Sequence, residues 1–252
     1  MGKPAISPKL RADLALVERG LVDSRSKAQA LILAGRVCSA DRSIQKAGEM
    51  IGAEEALTVR EPDRYVSRGG NKLQGALEDL PFTIESWVCV DVGASTGGFT
   101  DCLLQHGARK IYAVDVGQGQ LAHKLRHDPR VVVRERINAR HLQLNDFEEE
   151  IDLVVVDASF IGIEKLLPAI VRILKPSGRM LAMIKPQFEA GPQQAREGKG
   201  VISDDGVREQ VLAGVRRQLG SAGFAIKAEC DSRLRGPKGN LERFMLCTRL
   251  QP

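Results

Sequence analysis

The sequence predicts a doubly wound α/β domain preceded by a small α+β module. Three observations carry this. From residue 88 onward, short β-branched apolar runs alternate with helical segments. One of those runs ends in a glycine turn that opens onto a further apolar stretch. The first sixty or so residues lack this alternation and read instead as two short helices followed by weak strands.

In the leading module, Ser7 can cap a helix with Pro8 at its first position. Leu10, Leu14 and Val17 then fall on one face, and Gly20 can end the helix. Ser24 can cap a second helix that carries Ala28, Leu31 and Ile32 and stops at Gly35. Weak strands run on to Val59. The expected boundaries are 1–60 for this module, 61–66 for a turn-rich linker around Pro62, and 67–252 for the larger domain. In that domain, strands are expected at 88–92, 111–115, 131–134, 152–156, 180–184, 224–230 and 243–248. Glu148-Glu149-Glu150 reads as a solvated loop. There is no internal repeat.

The most informative stretch is Val88-Cys89-Val90-Asp91-Val92-Gly93-Ala94-Ser95-Thr96-Gly97-Gly98-Phe99. Strand, glycine turn and helix in this order make a nucleotide-type pocket at the carboxyl end of a parallel strand. Glycine lets the backbone turn tightly and come close to a ligand. A dinucleotide fingerprint requires G-x-G-x-x-G, but Ser95 stands at the middle glycine. A phosphate loop requires Gly-Lys-Ser/Thr, and no lysine follows Gly98. What remains, D-x-G-x-x-x-G-G-F, resembles the first motif of S-adenosylmethionine-dependent methyltransferases. Asp115 ends the next strand, 22 residues after Gly93, where an acid can accept hydrogen bonds from ribose hydroxyls.

Composition narrows the function classes. Of 252 residues, 43% are hydrophobic, enough for a packed core. Only 4% are aromatic, which argues against broad base-stacking platforms. Residues 1–47 carry nine Lys and Arg against four Asp and Glu, an excess equal to the whole chain's net +5. A basic end on a balanced chain points to a polyanionic partner, although such a stretch can equally be a solvated helical face. Five cysteines form no metal spacing and no C-x-x-C pair, so free thiols in a reducing cytoplasm are expected. No metal site is expected. No apolar run approaches the ~18 residues of a membrane span, and stable membrane association is not expected.

The first module resembles the αL-type RNA-binding domain of ribosomal proteins and pseudouridine synthases. The resemblance rests on Leu10-Arg11-Ala12-Asp13, Arg19-Gly20-Leu21, Ser24-Arg25, Ala28, Leu31-Ile32, Gly35-Arg36-Val37 and Lys46. It implies that Arg11, Arg25 and Lys46 meet RNA phosphates. A guanidinium can grip a phosphate with two hydrogen bonds.

Four polar residues in the larger domain call for a catalytic reading. Asp157 and Lys185 end the fourth and fifth strands, where open α/β sheets place their ligands. Glu242 precedes the last strand, and Lys72 lies in the helix that opens the domain. A lysine at the buried end of an apolar strand needs a partner or a task, and a structural Asp157–Lys185 ion pair is the plain alternative. In chain order, Lys72, Asp157, Lys185 and Glu242 follow the K-D-K-E order of RNA 2′-hydroxyl methyltransferases.

The whole chain resembles the TlyA-type rRNA methyltransferases, in which an RNA-binding module precedes an FtsJ-like, Rossmann-like catalytic domain. Shared strings include Tyr65-Val66-Ser67-Arg68-Gly69-Gly70-x-Lys72, Asn138-Ala139-Arg140, Asp157-x-Ser159-Phe160, Lys185-Pro186-Gln187-Phe188-Glu189 and Gly239-Asn240-x-Glu242. The resemblance implies S-adenosylmethionine as cofactor, held by Asp91, Gly93, Ala94, Ser95, Thr96, Gly97, Gly98, Phe99, Asp115, Asn138 and Asp157. It implies Lys72, Asp157, Lys185 and Glu242 as the catalytic set, and cytidine ribose in ribosomal RNA of a ribosomal subunit as the acceptor.

The chemistry agrees with the tetrad. A ribose hydroxyl is a poor nucleophile until its proton is removed. A lysine removes it only when neutral, a form that burial and a nearby cation favour. Lys185 is the expected base, Lys72 the neighbouring cation, and Asp157 and Glu242 the orienting acids. Base N-methylation usually involves Asn/Asp-Pro-Pro-aromatic, whereas this chain has Asp157-Ala158-Ser159-Phe160. Two other readings stand beside this one: a membrane-active haemolysin, a label some relatives bear, and a non-catalytic ribosome-assembly factor.

Overall fold

The structure, a computed structural model, describes residues 9–40, 42–61, 63–80, 82–190 and 201–250. It divides into two compact units, 1–63 and 64–252.

In the first unit, strand β1 (Leu10–Arg11) leads directly into helix α1 (Ala12–Glu18), and helix α2 (Arg25–Leu33) follows. Strands β2 (Val37–Ser39) and β3 (Arg42–Ser43) form an antiparallel hairpin, with Ala40 in the left-handed region. β4 (Met50–Ile51) pairs with β1, and β5 (Thr58–Val59) pairs with β2. Ser24 caps α2 as expected, accepting the Lys27 amide at 3.3 Å.

The first helix differs from expectation. It starts at Ala12, because Leu10 and Arg11 are drawn into an extended pairing with Met50 and Ile51. Its buried side is Ala12, Asp13, Ala15 and Leu16, and Leu14 points outward. Of the expected face, Leu10 and Val17 pack against the core of this unit as partly buried residues, and Leu14 alone is misplaced. Ser7 and Pro8 lie outside the described residues.

The second unit opens with α3 (Arg68–Asp79), followed by β6 (Val88–Val92), α4 (Gly98–Gln105) and β7 (Lys110–Asp115). The short helix α5 (His123–Arg126) and strand β8 (Val131–Glu135) come next, then β9 (Ile151–Val156), α6 (Leu167–Ile173) and β10 (Leu174–Ile184). One turn of helix, α7 (Pro186–Glu189), precedes α8 (Asp205–Ser221), β11 (Phe224–Asp231) and β12 (Arg243–Arg249). The fifth predicted strand is longer than expected. It begins at Leu174 and pairs with β9 across a register shift between Leu174 and Arg179.

The seven strands order as β11-β12-β10-β9-β6-β7-β8. β6 through β10 run parallel, while β11 and β12 pair antiparallel. The strand alternation sorts the core onto two faces. Val88, Val90, Val92, Val154 and Ala182 pack on the side of α6 and α8. Cys89, Leu153, Val155 and Leu181 pack on the opposite side, with Leu73 of α3 and Phe99 and Leu103 of α4. Burying each such branched aliphatic contributes ~1.5–3 kcal/mol. From β6 the chain winds outward through β7 and β8, then returns to β9 on the other side. The carboxyl ends of β6 and β9 flank this switch point, where such sheets open a crevice. The triple glutamate is not simply solvated: Glu149 pairs with Arg109 at 2.5 Å and Lys110 at 2.9 Å, and Glu148 with Lys110 at 3.1 Å.

Candidate active site

The glycine turn after β6 is shaped by protein as much as by any ligand. Gly93 has φ +86°, a left-handed conformation, and a Cβ there would lie 2.9 Å from the Asp157 carbonyl oxygen. A Cβ on Gly98 would meet Ser67 Oγ at 2.3 Å and the Gly70 amide at 2.7 Å. A Cβ on Gly97 would strike Leu125 and Leu121. These three glycines let the turn press against the end of β9, the start of α3 and α5. Each of the three approaches neighbouring parts of the chain closely, as the tight-turn role of glycine requires.

Asp91 also points inward. Its place in the β6 alternation aims it at α4, where it accepts from the Thr100 amide at 2.9 Å and the Thr100 hydroxyl at 2.7 Å. It is fully buried, and burial pushes its carboxyl up to about 7. Asp91 thus ties α4 to β6 from behind the turn and does not line the cleft. Asp115, at the end of β7, accepts from the Ser95 amide at 2.8 Å and the Gly117 amide at 2.7 Å. Its carboxylate therefore holds the turn's shape while facing a cleft of about 350 Å³. Gly93, Ser95, Asn138 and Asp157 border the same cleft, flanked by exposed Val116, Ile137 and Phe160.

A second cavity adjoins the first. Lys72, Asp157, Lys185 and Glu242 all line it, together with Ala94, Thr96, Gly98 and Phe99 of the glycine turn. Four residues separated by up to 170 positions thus converge. Lys72 Nζ forms an ion pair with Glu242 Oε2, both side chains nearly sealed from solvent. Lys185 Nζ meets Asp157 Oδ1 at 2.6 Å and donates to the Asp157 carbonyl at 3.3 Å and to Ser159 Oγ at 2.8 Å. A buried lysine is tolerated only when paired, and each lysine has its own acid. Gly93, Ser95, Asp157 and Ser159 border both cavities, so the two open onto one another.

Of the eleven residues expected around a cofactor, Asp91 and Gly97 border neither cavity. Sequence reasoning gave no role to Ser159, Arg68 or Val116. The signal for Ser159 was its position two residues past a strand-ending acid. Arg68, which lines the second cavity, donates to the Arg235 carbonyl at 3.1 Å and so anchors the start of α3.

In the first unit, Arg11 and Arg25 are not independent prongs. Arg11 grips Asp13 with Nε at 3.0 Å and Nη2 at 3.1 Å, and Arg25 Nε donates to the same carboxylate at 2.9 Å. Gln29 adds a fourth contact at 2.9 Å. Asp13 is fully buried, while both arginines stay about half exposed. Exposed Lys46 belongs to the turn whose Ala47 and Glu49 carbonyls accept from the Asp13 and Ala12 amides. Two of the three cations, Arg11 and Arg25, therefore share one acid.

Comparisons with known proteins identify the family. The FtsJ-like methyltransferase family model matches residues 65–250. The 16S/23S rRNA (cytidine-2′-O)-methyltransferase TlyA of Mycobacterium tuberculosis is 45% identical over 94% of this chain and 89% of its own length. A solved structure from Streptococcus thermophilus, described as a hemolysin, is 39% identical with a TM-score of 0.74, covering 97% of this chain and 90% of that one. A Listeria monocytogenes structure described as an S-adenosylmethionine-dependent methyltransferase shares only 14% identity, at a TM-score of 0.56 over 73% of this chain and 99% of that one, and shows the fold alone. With a family model spanning most of its length and a TlyA relative aligned nearly end to end, this chain belongs to the FtsJ-like methyltransferases of the TlyA type.

Proposed function

We propose that this chain transfers a methyl group from S-adenosylmethionine to the 2′-hydroxyl of a cytidine ribose in ribosomal RNA. One observation carries the reading: two lysine–carboxylate pairs, Lys72–Glu242 and Lys185–Asp157, line a cavity that opens onto the glycine-turn cleft. The acceptor chemistry and the donor cleft thus meet at Asp157 and Ser159.

The residues present fit that cofactor. The cleft volume lies within the usual range of small-molecule sites. Apolar Val116 and Ile137 would offer faces for a purine, Asp115 would accept from ribose hydroxyls, and the Asn138 amide would supply a polar group to the base. Among the described residues, no lysine or arginine lines this cleft, which suits a ligand without phosphates. When bound, the sulfonium supplies an electrophilic methyl group.

Lys185 positions the ribose hydroxyl and takes its proton, and Asp157 fixes the lysine and stabilises the resulting ammonium. Lys72, held by Glu242, supports the ribose or its phosphate. Alignment of the reacting oxygen provides much of the remaining acceleration. The first unit adds sequence-independent affinity through Arg11, Arg25 and Lys46 on phosphates, so binding falls steeply with salt. The protein would work where ribosomes assemble, in the cytoplasm.

The test incubates the protein with isotope-labelled S-adenosylmethionine and separate small and large ribosomal subunits. Label is expected at ribose 2′-oxygens of cytidine, detected as resistance of one phosphodiester to alkaline cleavage. Label on a base or on protein overturns the reading.

A further inference from the structure

Three oxygens surround Lys185 Nζ: Asp157 Oδ1 as an ion-pair partner at 2.6 Å, and the Asp157 carbonyl at 3.3 Å and Ser159 Oγ at 2.8 Å as hydrogen-bond acceptors. These oxygens are not equivalent. A carbonyl oxygen cannot pass a proton onward. The carboxylate is needed as the counter-charge of the ammonium. The Ser159 hydroxyl is both acceptor and donor, and its contact with Lys185 leaves its own hydrogen free to turn elsewhere. Ser159 is also solvent-exposed and borders both cavities, at the line where an acceptor oxygen must face the donor cleft.

We propose that Ser159 is a further catalytic residue, the relay between the attacking ribose hydroxyl and Lys185. The inference rests on the ribose reading above. When Lys185 acts as the base, the Ser159 hydroxyl donates to the Nζ lone pair and accepts from the 2′-hydroxyl. As transfer proceeds, the 2′-O–H bond breaks and its proton passes to Ser159 Oγ. The original Ser159 proton passes to Nζ, giving an ammonium held by Asp157. The freed oxygen pair forms the bond to the methyl carbon, and the carbon–sulfur electrons return to sulfur. Ser159 ends as it began, and one proton resides on Lys185. The relay also explains how a lysine tied down by a carboxylate and a carbonyl reaches a substrate oxygen without leaving its partners.

The test compares wild type, Ser159→Ala and Ser159→Thr, each with intact ribosomal subunits. Cofactor affinity by calorimetry, subunit affinity and melting temperature are expected to match in all three. The single-turnover rate should fall about 10- to 100-fold in Ser159→Ala, part of what positioned acid–base groups supply. KM for the subunit should stay within about twofold, and Ser159→Thr should recover most of the rate. The wild-type rate in mixed light and heavy water should curve as two protons moving together do, and that of Ser159→Ala should be linear. An unchanged rate in Ser159→Ala, or a linear wild-type curve, overturns the relay while leaving ribose methylation standing. A wild type that modifies no ribose on either subunit overturns both.

Discussion

Arg25 reaches from the second helix to the first and donates to the buried carboxylate of Asp13 at 2.9 Å, where Arg11 is already docked. One acid thus holds two cations that would otherwise repel. Four side-chain donors and the Leu14 amide converge on it, and the Arg11 hydrogen bond, the largest contribution, keeps the Asp13 carboxyl far below the usual carboxylate range. Reading the basic segment by charge count treats Asp13 as an offset to be subtracted. In the structure it is the post on which the basic face is built.

Acid should therefore loosen the first unit. The folded state holds Asp13 ionised where the unfolded chain would take up a proton. The stability it contributes is complete above the ordinary carboxylate pKa of about 3.9 and is lost as pH falls below it. Hydrogen exchange of the α1 and α2 amides, corrected for intrinsic rate, should show protection dropping on acidification in the wild type. Asp13→Asn should lose about 1–3 kcal/mol at neutral pH through the broken cluster and should show a flatter acid slope. An equal slope in the variant would rule out Asp13 as its source.

Asp91 works in the opposite sense. Its folded carboxyl is pushed up to about 7 by burial, so between about 4 and 7 the folded state binds a proton that the unfolded state has released. Its contribution is present at low pH and lost as pH rises through 7. Asp91→Asn keeps an acceptor for Thr100 while removing the charge. Denaturant melts from pH 4 to 8 should show the second unit's stability falling less steeply with pH in Asp91→Asn than in the wild type. A wild type that gains stability across this window through Asp91 would contradict the burial argument.

The Lys72–Glu242 pair separates folding from chemistry. Removing Lys72 alone strands the Glu242 carboxylate, which is 1% exposed, and breaking such a pair costs ~3–5 kcal/mol. Replacing both partners with apolar residues of like volume, Lys72→Met with Glu242→Leu, should restore most of that loss. Methyl transfer should stay abolished in single and double variants alike. Chemical denaturation together with label transfer to ribosomal subunits measures both. Recovery of activity with stability would make the pair structural only.

The sequence made the sheet legible because its central strands are short, nearly continuous apolar runs, as parallel strands covered on both faces require. Asp157 and Lys185 were legible as the ends of neighbouring parallel strands, whereas Lys72, inside α3, and Glu242, just before β12, joined them only through the K-D-K-E order of the family that the sequence resembles. What stayed hidden depends on partners distant in the chain. Nothing near Gly98 says that its missing side chain accommodates Ser67 and Gly70. The first helix was misread because β1 competes for Leu10 and Arg11 through a strand some forty residues later. Ser159 could not be assigned before the fold set Lys185 beside it.

Gly98 gives the sharpest test of how the glycine turn is built. Its backbone lies against the start of α3, the helix that carries Lys72, and a Cβ would sit 2.7 Å from the Gly70 amide. Backbone on both sides leaves little room to relax, so Gly98→Ala should cost about 1–3 kcal/mol as an overpacked site. The same shift would move Lys72 relative to Lys185, and misplacement of about 1 Å can cost on the order of 100-fold in rate. Gly214, inside α8, is the matched control: the nearest atom to its Cβ would be Arg217 Nη2 at 3.9 Å. Gly214→Ala should raise stability by about 0.5–1 kcal/mol, because alanine restricts the unfolded chain and favours helix, and should leave transfer unchanged. Equilibrium denaturation and single-turnover rates of both variants decide the matter. A Gly98→Ala protein as active and as stable as the wild type would mean that the turn and α3 can part without consequence.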